Sequence, residues 1–184
     1  YTQKAEETYS YVAVKAGYVT KKDTISVTED TEKTITMEKA PESTRKDVSA
    51  AWKNFRNSDD NMGITSAKTP TSEATTYEKW FKKLGSGWGA APSVQIIVDN
   101  SLIVMSANHI YKLDLNTGDI LQTGDMVAAT NFGYTPPTYA DGMIFAPLAD
   151  GRVQAFNAET LESLWVYQDM LKGQSLSPIT YSDG

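Results

Sequence analysis

An all-β fold, a partial β-propeller of two to three four-stranded antiparallel blades preceded by a β-sandwich fragment, is predicted by three observations. The second half of the chain repeats with a step of 42 residues: Thr135-Pro136-Pro137-Thr138-Tyr139-Ala140-Asp141-Gly142 returns as Ser177-Pro178-Ile179-Thr180-Tyr181-Ser182-Asp183-Gly184, and an earlier copy starts at Pro92. Repeats of about 40 to 50 residues, each holding several short strands, are the mark of propeller blades. Within each repeat, short apolar runs alternate with turn signals. The 40 % hydrophobic and 22 % charged residues, with ten Tyr and four Trp, give enough apolar area for a core and too little charge for a disordered chain.

The remaining composition excludes several function classes. Net charge is −6 and the basic residues are scattered, so the concentrated positive face that nucleic acid needs is missing. No run of 18 apolar residues exists, which argues against membrane insertion, and Tyr1-Thr2-Gln3-Lys4 is no signal peptide. Cysteine is absent, so there is no disulfide, thiolate metal site or Cys nucleophile. A propeller ring takes about 4 to 8 blades. Little more than two are visible, so the sequence predicts a truncated piece of a longer protein, with self-association through open blade edges unless a partner or the N-terminal segment covers them.

Taken in order, Tyr9 to Lys15 reads as a strand, Ala16-Gly17-Tyr18 as a corner, and Thr24–Thr28 and Thr34–Glu38 as two further strands, with Ile25/Val27 and Ile35/Met37 on one face. Three strands with one apolar face call for a second layer. The Tyr-x-Tyr-x-Val strand, the Ala-Gly-Tyr corner and the Thr-Ile-Thr-Met-Glu-Lys strand resemble the second half of a carboxypeptidase regulatory-like, Ig-like β-sandwich, a module that occurs as a repeated spacer in bacterial surface proteins. Residues 1–40 are therefore expected to be the C-terminal strands of such a module, 41–50 a polar, Pro-containing linker, and 51–184 the propeller blades.

In the repeats, Ser101–Ser106 and His109–Asp114 match Met143–Leu148 and Arg152–Asn157, joined by Ala107-Asn108 and by the hairpin signature Ala149-Asp150-Gly151. Both copies then turn into an outer strand carrying Gln122 and Trp165, and Trp80 stands one step earlier. The run from Ala155 to Trp165 resembles the blade motif of propellers related to pyrroloquinoline quinone enzymes, in which an Ala, an Asp or Asn, a Thr-Gly turn and a Trp recur. The run from Lys112 to Gln122 has the Asp and the Thr-Gly and replaces the Trp. The resemblance spans Trp52 to Gly184 and implies a structural motif of Trp80, Asp114, Thr117, Gly118, Asn157, Thr160 and Trp165, the indole docking between blades with its N–H on a backbone acceptor.

The candidate chemical sites are sparse. Quinoprotein dehydrogenases hold a metal beside the quinone with an acidic and amide cluster, which is not visible here, so no cofactor, metal or catalytic residue is expected. Asp114–Asp119, with Asp125 twelfth, departs from the EF-hand pattern at its sixth and twelfth positions and reads as a solvated turn, as does Asn57–Asn61. Gly85-Ser86-Gly87-Trp88-Gly89 precedes a strand instead of a helix, so it is no phosphate loop; Trp88 at its tip reads either as packing between blades or as a stacking platform. His109, the only histidine, aligns with Arg152 and is a poor general base. Trp88, Phe132 and Tyr134 are the candidate ligand-contact residues. The expected role is non-catalytic: a binding or scaffold module of an extracellular bacterial cell-surface or cell-wall protein, presenting loops to a protein or glycan. A periplasmic assembly propeller is the related alternative, and an enzyme with its site in further blades is the alternative from another class.

Overall fold

Why the repeats fold as they do is visible at their turns. Asp99 and Asn100 both take positive φ (48° and 54°) between two strands, as do Asp141 and Gly142 (49° and 66°). Two central residues at positive φ are what a two-residue type I′ hairpin demands, and its twist matches that of the strands it joins. The computed structural model describes residues 7–13, 18, 21–39, 47–130, 135–173 and 176–182. The chain divides into two compact units, Tyr1–Thr44 and Arg45–Gly184.

In the first unit β1 (Glu7–Ala13) pairs antiparallel with β2 (Lys21–Val27), from Glu7 opposite Val27 to Ala13 opposite Lys21. The third strand expected at Thr34–Glu38 is not among the strands of the described residues, where the nearest ladder contact is an isolated bridge from Tyr18 to Lys39 just beyond it. Lysine ammoniums take the carbonyls instead, Lys21 Nζ donating to Thr36 O and Lys33 Nζ to Thr24 O, each at 3.3 Å. Ile35 stays exposed and Met37 half-buried, so alternation alone did not create the buried face that would fix a strand register. The Ala16-Gly17 part of the expected corner lies outside the described residues.

The second unit begins with β3 (Ala50–Trp52) and continues through β4 (Ile96–Val98), β5 (Ser101–Ser106), β6 (His109–Asp114) and β7 (Ile120–Asp125) as one antiparallel sheet in that order. A second sheet contains β8 (Thr138–Ala140), β9 (Met143–Leu148), β10 (Arg152–Asn157) and β11 (Ser163–Gln168), again in sequence order. These are two blades, the strands β4–β7 and β8–β11. The only helical turns among the described residues are short 3₁₀ segments at Glu73–Thr75 and Trp88–Ala90.

The core lies between the blades. Ile96, Val98, Ile103, Met105 and Ile110 from the first pack with Ile144, Ala146, Leu148 and Phe156 from the second, and Val48, Ala50 and Trp52 lie against the same cluster. Strand alternation sends Met143 and Phe145 to the opposite face of β9, where they meet Ile179 and Tyr181 of the third copy. With both faces covered, all six residues of β9 are buried.

The N-terminal stretch of this unit covers the inner edges of both blades. Ala50 pairs with Val98 of β4, the carbonyl of Lys53 accepts from Tyr139 N–H of β8 at 2.7 Å, and Asp99 N–H donates to Ser49 O at 2.9 Å. Residues 47–50, within the stretch expected to be linker, thus hydrogen-bond into the blades.

Candidate functional site

The recurring motif residues form a turn and a lock. Asp114 closes β6, and its Oδ1 accepts the backbone N–H groups of Asn116 (2.7 Å) and Thr117 (2.9 Å). Thr117 Oγ1 donates to Asp119 Oδ2 at 2.8 Å. The backbone N–H of Thr117 first, then that of Asn116, holds the Asp114 carboxyl below its usual range. In the second blade Asn157 Oδ1 accepts from Glu159 and Thr160 N–H at 2.8 and 3.2 Å, and Thr160 Oγ1 from Glu162 N–H, so an uncharged amide builds the same turn.

Onto the first turn docks Trp80. Its Nε1 donates to Leu115 O at 3.1 Å, and its ring lies so close that a Cβ on Gly118 would sit 2.6 Å from Cε3. Gly118 also holds φ +73°, so conformation and contact both require glycine there. Lys79 Nζ adds a bond to Asn116 Oδ1 at 2.7 Å.

The next interface does the same work with different residues. Gln122 stands where the step from Trp80 would place an indole, and Leu161, buried, stands where Gly118 was. The carbonyl equivalent to Leu115 O is Ala158 O, and it accepts instead from Lys112 Nζ at 3.3 Å. Lys112 is only 6 % exposed, lies opposite Gln122 in the β6–β7 ladder, and has Asp99 Oδ2 at 3.8 Å. In the second blade Ala155 pairs with Trp165 at the corresponding position. Among the described residues no turn receives Trp165: it is 43 % exposed on β11, with its ring 5.8 Å from Phe145.

Two cross-blade anchors carry no motif signature. Gln154, buried in β10, accepts from Val127 N–H at 2.9 Å and donates to Asp125 O and Ser163 Oγ at 3.2 and 2.9 Å. Tyr139 Oη donates to Asp47 Oδ1 at 2.5 Å and accepts from Val48 N–H at 2.7 Å, and burial first, then Asp47, raises its pKa. Gln154 had no sequence signal, because a lone Gln in an apolar strand points to no partner. Tyr139 was visible only as a repeated residue.

Of the candidate contact residues, Phe132 and Tyr134 lie outside the described residues. Trp88 does not pack between blades: it is 84 % exposed. Its loop is fastened from below by Ser106 Oγ donating to Ala90 O at 2.7 Å, and a Cβ on Gly85 would meet Ala90 Cβ at 2.4 Å. Asp125 lies at the far end of β7 from Asp119, so the two cannot share a calcium loop; it approaches His109 Nδ1 at 3.0 Å instead. Among the described residues no group of three His, Cys, Asp or Glu is placed to hold a metal, and no helix is long and apolar enough to cross a membrane. An open cavity of about 650 Å³ lies beside the inner strands, lined by Asp47, Lys53, Asp59, Tyr139, Asp141 and Tyr181 among others. In its wall Lys53 lies 2.7 Å from Asp59 and the Tyr139 hydroxyl donates to Asp47.

Four-stranded antiparallel repeats, the first of which receives an indole on its turn, are blades of a partial β-propeller with PQQ-like repeats. A sequence family described as the outer membrane protein assembly factor BamB matches residues 72–182, and the chain belongs to that family. Among solved structures, BamB from Moraxella catarrhalis is similar at 23 % identity and TM-score 0.37, over 40 % of this chain and 24 % of that one. A europium-containing methanol dehydrogenase is similar at 21 % identity and TM-score 0.47, over 65 % and 23 %. The quinohemoprotein alcohol dehydrogenase from Comamonas testosteroni is similar at 20 % identity and TM-score 0.36, over 41 % and 13 %. The chain spans a quarter or less of the length of each of these proteins. No curated protein matches the chain.

Proposed function

We infer that this chain is a non-catalytic binding or scaffold module of a secreted or surface-anchored bacterial protein, and that its partner is a protein. The observation that carries this reading is the apolar surface along β11 and the turn after it: Leu164, Trp165, Val166 and Tyr167 are exposed, and Met170 and Leu171 are 93 % and 88 % exposed. Trp165 and Tyr167 share one face of β11 and Val166 lies on the other; exposed apolar side chains on both faces favour protein contact, and a glycan site would need polar groups set among the rings. The family's namesake is an assembly factor, which favours a scaffold role over catalysis. Residues 1–40 are read as the end of a carboxypeptidase regulatory-like spacer, which favours a stalked cell-surface protein over a periplasmic one.

The test is retention of partners from a cell-surface extract on immobilised chain, alongside an absorption spectrum after incubation with pyrroloquinoline quinone and calcium. The reading expects proteins that are retained by the wild type and lost with the pair Met170→Asp and Leu171→Asp, and no bound-quinone spectrum. A stoichiometric quinone spectrum, or retention indifferent to that pair, contradicts it.

A further inference from the structure

Seven of the twelve residues from Thr65 to Thr76 carry a hydroxyl, and Pro70 stands among them. The stretch forms no strand, its one regular turn being the 3₁₀ segment at Glu73–Thr75, and every residue from 59 to 79 is exposed. Both ends are nonetheless fastened. At one, Gly63 N–H donates to Arg56 O at 2.9 Å and Asn57 Nδ2 to Ile64 O at 3.0 Å; at the other, Lys79 and Trp80 are bonded to Asn116 and Leu115. Connections longer than about 12–15 residues without structure of their own are uncommon in compact domains and are usually functional or linker segments. Here the segment arches between two fixed points and covers none of the core. Its hydroxyls fall into two sets. Ser72, Thr75 and Thr76 bond one another or Ser72 O, and Thr65 Oγ1 accepts from Ala67 N–H. Ser66, Thr69 and Thr71 bond nothing among the described residues. Pro70 has its own φ fixed and biases Thr69 toward extended backbone, so the hydroxyls beside it are presented on an extended chain.

We propose that Ser66, Thr69 and Thr71 are acceptor sites for O-glycosylation. A Ser/Thr-rich segment with Pro has the composition of O-glycosylated stalks, and an exposed, extended backbone enters a transferase cleft without any part of the core having to open. In the transfer the hydroxyl oxygen attacks the anomeric carbon of a phosphate-activated sugar donor. The new C–O bond forms as the bond to the phosphate leaving group breaks, and the hydroxyl proton passes to a base of the transferase, with no change of oxidation state. Charge favours a neutral sugar over a phosphoryl group. Asp60, Glu73 and Glu78 stand along the arch and Lys68 is the only cation from Ile64 to Tyr77, so a phosphate would meet like charge and find no Arg within the segment to pair with. Sugars there shield an exposed backbone that is otherwise open to proteolysis. None of this depends on what contacts β11.

The test compares the protein purified from the cells that naturally make it with the same chain produced in a host that lacks the transferases, by intact mass and by peptide mapping with electron-transfer fragmentation. The result expected is a mass excess made of whole glycosyl residues in the native protein, localised to Ser66, Thr69 and Thr71 and released by alkaline β-elimination. The triple variant Ser66→Ala, Thr69→Val and Thr71→Val, made in the natural host, is expected to lose that excess. Because these hydroxyls hold no bond, the same variant made without transferases is expected to keep the unfolding midpoint of the parent, which separates loss of the acceptor from loss of the fold. Ser86, an exposed hydroxyl without a bond on the glycine-rich loop, is the internal control and is expected to stay bare. A native protein without the excess, a phosphate increment in place of sugar, sugars on other residues while these three are bare, or equal occupancy at Ser86 overturns the proposal.

Discussion

Gly118 and Leu161 occupy equivalent positions, and the difference between them follows from what each receives. Gly118 receives the Trp80 ring; Leu161, at φ +58° and buried, fills the space where Gln122 brings no ring. Gly118→Ala is expected to cost about 1–3 kcal/mol from backbone conformation alone, and Trp80→Ala about 3 kcal/mol, both read from urea unfolding. Leu161→Gly opens a cavity and destabilises alone, whereas Gln122→Trp adds a ring at an exposed position whose docking place Leu161 fills. Together with Lys112→Ala they rebuild the first interface, and the triple variant is expected to lose less than the summed singles; strict additivity in the mutant cycle contradicts this coupling. The Asp114 carboxyl, lowered by backbone donors, contributes stability that is present above the unfolded value of about 4 and lost as the pH falls through the folded one. Asp114→Asn, imitating Asn157, should flatten the fall in Tm as the pH drops below about 4. At this scale the Asp, Asn and Thr of the turns were legible because turn chemistry is local. Lys112 was not, since a lysine where the motif has Ala gives no sign that it is buried and substitutes for an indole N–H.

Elements in the second unit were set by features written in sequence: period-two apolar strands and two-residue turns whose residues tolerate positive φ. The strand expected at Thr34–Glu38 had the same alternation and is not among the strands of the described residues, because alternation specifies a register only where one face is buried. The segment 78–83 is its converse, a strand position recognisable from the step and the Trp but without a ladder. β3 was least legible, since three residues after a polar stretch show no periodicity, and its place is set by long-range bonds to β4 and to Tyr139. Tyr139→Phe is expected to cost about 1–2 kcal/mol by leaving Val48 N–H and Asp47 unpaired. It should also speed amide exchange in residues 47–53 more than in β9. Equal acceleration in both would mean that β3 does not depend on that hydroxyl.

For the whole molecule, the inner edges of both blades are covered by residues 47–53, while β11 leaves Trp165, among the described residues, without the kind of turn that holds Trp80. The repeat and its step were legible from the start because a scaffold unit must restate its core. The surface left on β11 was not, because exposure depends on what packs against a strand and leaves no mark in its own residues. The account holds that this surface is an interface, and that in the isolated chain, with no other protein on it, copies of the chain cover it for one another. The most direct measurement is the solution mass of the 184-residue chain by light scattering across a concentration series, for the wild type and for Trp165→Asp. A concentration-dependent dimer or larger closed species that reverts to monomer with Trp165→Asp is the result expected. A wild-type monomer at every concentration, or an oligomer unmoved by that substitution, would contradict it.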